Sequence, residues 1–365
     1  MNKKTILIGV IILFSTFTIS ACLDYINING GKTIYESHPI KVSYTIDYGY
    51  NINCTGFGDY NIKYNCDKPE VLVGIVKIVE LLYDQDYFET TIIQNDIIQW
   101  NISDDGSNNY KLGIVATIEI ESFLISDLSG KGAETLQGLQ ANYMDLIGQY
   151  CQKQSNGTIT FIDPENLLIK NIGNNILSNT KSNNSFILAK ELFIWLKQNT
   201  NYKTHIRDNN IQPASITIEK KTGDCDDLSF LYISLCRSIG IPARFIRGYL
   251  VEENDNKVNM ISHAWAEVFV GGKFGNHGWI PVECAGDASI VTEINQNFGV
   301  EDVSHLRLFE DDGSNESMNT SISSIIMYYD ESIKVNMDFF GEISEYNVLD
   351  SKELYINEDG ERTYI

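Results

Sequence analysis

Between about residue 34 and residue 130 the chain alternates apolar and polar side chains in short runs. VSYTIDYGYNI, YNIKYNC, DIIQWNIS and YKLGIVATIEIESFLI are rich in β-branched and aromatic residues and bounded by Gly, Asn and Asp. This pattern predicts half-buried strands, and strands at that spacing suggest a β-sandwich. VLVGIVKIVELL is continuously apolar and fits a strand or a buried helix equally. After Gly130 the period lengthens. Residues 131–152 and 164–178 read as helices, with Pro164 at a first helical position after Asp163. NSFILAKELFIWLKQNT sets Phe186, Ala189, Phe193 and Leu196 on one helical face, and residues 226–239 do the same with Leu228, Leu231, Leu235 and Ile239 before Gly240 and Pro242 stop them. ARFIRGYLVE, SHAWAEVFVGG and GWIPVE then predict three strands. One buried central helix followed by an antiparallel meander is an α+β plan. Beyond residue 300, SIIMYYD and IKVNMDFFGEI predict an extra strand pair, and the acidic tail 342–365 carries no motif.

Composition agrees with a packed chain. Of 365 residues 43% are hydrophobic and 21% charged, enough for a core and against wholesale disorder. The formal charge of −22 argues against nucleic acid or an anionic lipid surface as main partner. At the start, Lys3 and Lys4 precede the apolar run 5–19, which reads as a secretory signal, shorter than the roughly twenty residues of a comfortable membrane span. Ile19-Ser20-Ala21-Cys22 resembles a lipobox, so Cys22 is a candidate lipid anchor; a plain cleaved signal or an uncleaved N-terminal anchor are the alternatives. Each places residues 23–365 outside the cytoplasm. The expected division is a signal over 1–22, a β-sandwich-like domain over 23–130, a helical junction over 131–180, a catalytic α+β domain over 181–300, and C-terminal strands with an acidic tail over 301–365.

Seven cysteines remain to be placed. Cys54 and Cys66 are candidates for a short-loop disulfide in an oxidising exterior; Cys236 reads as a buried small hydrophobe, and the pairing of Cys151 and Cys284 stays open. The spacings match no zinc pattern. Asn-X-Ser/Thr sequons at Asn53, Asn101, Asn156, Asn183, Asn315 and Asn319 are potential glycosylation sites.

Cys225 is the residue with chemistry. It opens the 226–239 helix after Gly223 and Asp224, where unpaired N–H groups and the helix dipole favour a thiolate. Asp226 and Asp227 oppose that ionisation, so a nearby imidazole is required. His263 begins the strand HAWAEVFV. Alternation puts His263, Trp265, Glu267 and Phe269 on one face and leaves Ala264, Ala266, Val268 and Val270 to pack against a helix. His38, His205, His277 and His305 have no comparable setting, and His205 and His277 read as loop residues. Glu283 ends GWIPVE, where an antiparallel neighbour of the His263 strand would bring a carboxylate to the imidazole.

GDCDD with SLCRSIGIPARFIRGY, then HAWAEV, then GWIPVE, resembles the core of the transglutaminase-like superfamily over roughly residues 185–290. The resemblance implies a papain-like arrangement with Cys225 as nucleophile, His263 as general base and Glu283 as third member. The family usually has Asp at the last position, where this chain has Glu283 followed by Cys284. The strand-rich segment before the core is also similar to the β domain of archaeal and bacterial relatives. The reaction implied by the resemblance is hydrolysis of an amide or isopeptide bond in an extracellular or cell-envelope peptide or protein, through a Cys thioester and without a cofactor; no D-x-D-x-D-G loop supports calcium. The competing readings are an amine-accepting cross-linking enzyme, a catalytically silent surface module that binds envelope peptides or glycans, and a structural envelope lipoprotein.

Overall fold

The computed structural model describes residues 4–8, 25–28, 32–72, 74–83, 91–93, 97–204, 211–254, 257–319 and 323–365, with side chains from Ser37 onward outside 73, 84–96, 205–210, 253–257 and 319–324. Of the expected signal, Lys4–Ile8 is described as a strand laid antiparallel to Ser323–Tyr329. Cys22 and its lipobox, like His205, lie outside the described residues. Among the described residues no helix is long and apolar enough to cross a membrane.

Two sheets enclose one of the two cores. The first runs Arg362–Tyr364, Lys334–Ile356, Lys32–Thr55, Asn108–Glu121, Val76–Tyr83, with Tyr25–Ile28 paired to the start of the long strand. The second runs Lys4–Ile8, Ser323–Tyr329, Asp59–Asp67, Ile97–Asp105, Thr91–Ile93. Period two does the sorting: Val42, Tyr44, Ile46, Tyr48, Tyr50, Ile52 and Cys54 point inward from one sheet, and Tyr60, Ile62, Tyr64 and Cys66 from the other. The ambiguous segment resolves as the strand Val76–Tyr83.

Several expectations change here. Cys54 and Cys66 are separate buried thiols. Cys54 interacts with Tyr60, and Cys66 stands six strand positions further along, roughly 20 Å at the rise of an extended chain, so each packs as a small hydrophobe. Cys151, Cys236 and Cys284 are likewise free. The C-terminal strands do not pair with each other. Ser323–Tyr329 joins the second sheet beside Asp59–Asp67, whereas Lys334–Ile356 joins the first along Lys32–Thr55. The acidic tail is thus a bulged strand that turns its polar side chains out and buries Leu354 and Ile356.

The second core surrounds the helix Cys225–Ser238, buried over nearly its whole length, with Asp227, Ser234 and Arg237 buried on hydrogen bonds among the apolar residues. Against it packs a four-stranded antiparallel sheet in the order Trp279–Val282, Lys257–Phe269, Ala243–Asn254, His305–Glu310. Ala264, Ala266, Val268 and Val270 face the helix. The helices Leu167–Asn179, Ser185–Asn199 and Ala214–Lys220 cover the remaining sides. The 131–152 segment divides into Leu136–Asn142 and Met144–Tyr150, broken at Tyr143, whose backbone leaves the helical region. The next helix starts at Leu167, later than Pro164, because the Asn166 side chain caps the Leu168 and Ile169 N–H groups. Behind the sheet, Arg307 joins Glu301 and Glu267, and Arg244 joins Glu267 and Glu310.

Candidate active site

Local sequence explains why Cys225 starts its helix. Asp224 and Asp227 form a reciprocal capping box: the Asp224 carboxylate accepts the Asp227 N–H, and Asp227 Oδ2 accepts the Asp224 N–H at 3.2 Å. Gly223 is needed beside it, since a Cβ there would lie 2.6 Å from the Asp227 Cβ. Asp227 is held in turn by Gln212, whose backbone N–H and side-chain Nε2 donate to its two oxygens at 2.6 and 2.8 Å. The thiol is fixed at the mouth of a well-anchored helix.

Along Lys257–Phe269 the strand Trp279–Val282 pairs with Ala266–Phe269, so among the described residues no strand covers the edge at His263 and Ala264. There the Ala264 N–H donates to the Cys225 sulfur. Glu283 follows Val282 at the same place. Its Oε2 accepts from His263 Nε2 at 2.7 Å, and its Oε1 accepts the Ala285 N–H at 2.6 Å. With Nε2 committed to the carboxylate, Nδ1 is the ring nitrogen left for the thiol. Lys197, on the Ser185–Asn199 helix, donates to the carbonyls of Cys284 and Gly286 at 2.9 and 3.0 Å and pins the turn that carries Glu283.

Of the three expected residues, His263 and Glu283 are hydrogen-bonded, and Cys225 senses the Glu283 charge. His263 stacks on Trp265 at 5.8 Å, as their shared strand face requires. His277 sits in an exposed loop with a positive φ of 52°. His305 corrects the sequence reading. It is buried, and its Nε2 donates to the same Glu283 Oε2 at 3.1 Å while its Nδ1 donates to Asp302 Oδ1 at 3.0 Å. Nothing flanking His305 in sequence signals this, because the contact depends on which strand pairs beyond Ala243–Asn254. Tyr202 is a second residue that the sequence does not announce. The strand Asn201–Tyr202 pairs in parallel with Thr222–Gly223, and the Tyr202 N–H donates to Asp287 Oδ1 at 2.7 Å, so its phenol joins the electrostatic neighbourhood of Cys225.

The charges define what the site can do. Burial, then the Asp226 and Asp224 carboxylates, push the Cys225 thiol well above its ordinary value, with the Ala264 N–H acting the other way. Asp226 Oδ1 lies 3.9 Å from the sulfur; burial pushes that carboxyl up to about 6 against the pull of Arg247. Burial also opposes charge on Glu283, but His263 and His305 overcome it and hold its carboxyl far below the usual range. At rest the site holds a protonated thiol within electrostatic reach of Glu283, and Glu283 is an ionised carboxylate hydrogen-bonded to the His263 imidazole. Such a set can remove the thiol proton as attack proceeds. His263, Glu283 and His305 also lie close enough together to offer three donor atoms to a metal ion, although every short contact among them is already a hydrogen bond.

Residues 170–284 match the family model of the transglutaminase-like superfamily core. Uncharacterized protein YebA of Bacillus subtilis (strain 168) is 37% identical over 75 residues, 18% of this chain and 10% of that protein. Uncharacterized protein ML0607 of Mycobacterium leprae (strain TN) is 26% identical over 120 residues, 31% of this chain and 40% of that one. The chain thus spans a minor part of the length of either relative. Among solved structures, a "Putative Cysteine Protease" from Cytophaga hutchinsonii superposes with a TM-score of 0.51 at 16% identity, over 87% of this chain and 93% of that chain. The periplasmic domain of TgpA from Pseudomonas aeruginosa is matched with a TM-score of 0.32 at 10% identity, over 77% and 81%.

Proposed function

Since residues 170–284 of this chain form a transglutaminase-like core, we propose that it is a thiol acyl-transfer enzyme that hydrolyses an amide or isopeptide bond in an extracellular or cell-envelope peptide. The observation that carries this reading is the 2.7 Å bond from His263 Nε2 to an ionised Glu283, made where the Ala264 N–H meets the Cys225 sulfur.

In this mechanism Cys225 is the nucleophile, His263 the base and Glu283 the residue that orients His263. The His263 Nδ1 takes the thiol proton as sulfur attacks the carbonyl carbon. The tetrahedral oxyanion is stabilised by the backbone N–H of Cys225 at the helix start. His263 then returns the proton to the leaving amine, and the C–N bond breaks to leave a thioester. Water, deprotonated by the same imidazole, releases the acid and restores the thiol. Because the thiol stays protonated at rest among carboxylates, attack and proton transfer are coupled, and His263 acts as a true base rather than as the partner of a standing thiolate. The exterior setting rests on the Lys3-Lys4 and 5–19 signal pattern.

Alkylation mapped by mass spectrometry tests the proposal. Iodoacetamide should modify Cys225 ahead of the half-buried Cys151, and His263→Ala should slow Cys225 at least tenfold while leaving Cys151 unchanged. Equal rates at Cys225 in the two proteins would reject the base. Envelope peptides offered with and without an added amine then show whether water or the amine receives the acyl group.

A further inference from the structure

A carboxylate oxygen can only accept hydrogen bonds, and both ring nitrogens of His305 meet one: Nδ1 meets Asp302 Oδ1 at 3.0 Å and Nε2 meets Glu283 Oε2 at 3.1 Å. Each nitrogen must therefore carry a proton. We propose that His305 is a positioning residue, a standing imidazolium that clamps Glu283 onto His263 and neutralises part of its charge.

The clamp answers a need that the sequence creates. Glutamate has one more rotatable bond than the aspartate usual at this place, so its head group is looser unless both oxygens are engaged. Here Ala285 holds Oε1, and the two histidines converge on Oε2. His305 is itself immobilised: its ring stands edge-on to Trp265 at 5.0 Å, and the Ser304 hydroxyl lies 3.3 Å from its Nδ1. The groups facing it are Asp302 and Ser304 from its own turn, Glu283 from the end of the outer strand, and His263 and Trp265 from the strand beyond Ala243–Asn254; Arg362, from the C-terminal strand, and His38 are within electrostatic reach of Asp302. Burial opposes charge on this ring, but the bonds to Asp302 and Glu283 outweigh it and push the imidazole up to about 10. Without that cation Glu283 would present its full charge to His263, and the ring would serve less well as a base for the thiol proton.

The role as a clamp rests on the catalytic reading above, whereas the double protonation does not. Nitrogen-15 NMR of the whole chain at pH 8 should show both His305 nitrogens protonated, with the signals assigned by their loss in His305→Gln. Asp302→Asn should leave one proton on the ring at that pH. A singly protonated His305 in the unaltered protein overturns the proposal. For function, the low-pH limb of Cys225 alkylation should move up by roughly one pH unit in His305→Gln, the size expected when a nearby like charge is removed. An unshifted limb in a folded His305→Gln protein rejects the clamp; if that variant does not fold, Asp302→Asn is read the same way. If His263→Ala leaves Cys225 alkylation unchanged, the catalytic reading has failed instead, and the NMR result still decides the protonation of His305.

Discussion

The Asp226 carboxylate stands 3.9 Å from the Cys225 sulfur and, after burial, is the largest influence raising the thiol. Asp226→Asn keeps the shape and removes the charge. The alkylation midpoint of Cys225 should therefore move down by about one pH unit, read from rate against pH; an unmoved midpoint would show that the thiol does not sense Asp226. The histidine–carboxylate chain makes a second prediction at this scale. Glu283 and Asp302 ionise well below their unfolded values, so the stability they lend is complete above about pH 4.5 and is lost as pH falls below it. His305 is raised, so its contribution is complete below about pH 6.5 and is lost as pH rises through about 10. The unfolding temperature should decline on both sides, and His305→Gln should flatten both declines, since His305 also holds down the carboxyls of Asp302 and, in part, Glu283. An equally steep alkaline decline in that variant would contradict the assignment.

At the scale of elements, the strand His305–Glu310 reaches the site by a close approach. It pairs with Ala243–Asn254 through a register shift at Arg247 and Gly248, and a Cβ on Gly248 would lie 1.8 Å from the Leu306 carbonyl oxygen. Gly248→Ala must push the strands apart next to His305. It should cost about 1–3 kcal/mol in denaturant unfolding and move the low-pH alkylation limb in the same direction as His305→Gln. A change in stability with no shift of the limb would separate the strand from the site. The same strand marks what the sequence could tell. Cys225, His263 and Glu283 were legible because each sits in a short run whose local pattern fixes its face: a capped helix start, an alternating strand with small residues behind, a strand end. The inward faces of the sandwich strands were legible for the same reason. His305 was not, because its partners, Glu283 and His263, are brought by other strands, and only tertiary pairing supplies them. Lys334–Ile356 was legible only in part because its bulges break the alternation that announces a strand, shifting register at Ser344, Val348, Asp350 and Lys352.

Over the whole molecule, the C-terminal strands close the fold on its beginning. Lys334–Ile356 lies along Lys32–Thr55, and Tyr249, Val251, Leu306 and Leu308 of the sheet that packs on the Cys225 helix reach into the sandwich core. Ending the chain at Tyr329 should therefore expose the edge of the long N-terminal strand and abolish soluble folded protein; a soluble product with native circular dichroism would show that this strand is dispensable. The described cysteines carry one more consequence. All six are unlinked, and Cys54, Cys66, Cys236 and Cys284 are sealed in the two cores. No disulfide among the described cysteines holds these layers together, so dithiothreitol should leave the melting profile where it was. A molecule built this way can mature without an oxidising foldase and still work where disulfide-braced neighbours come apart.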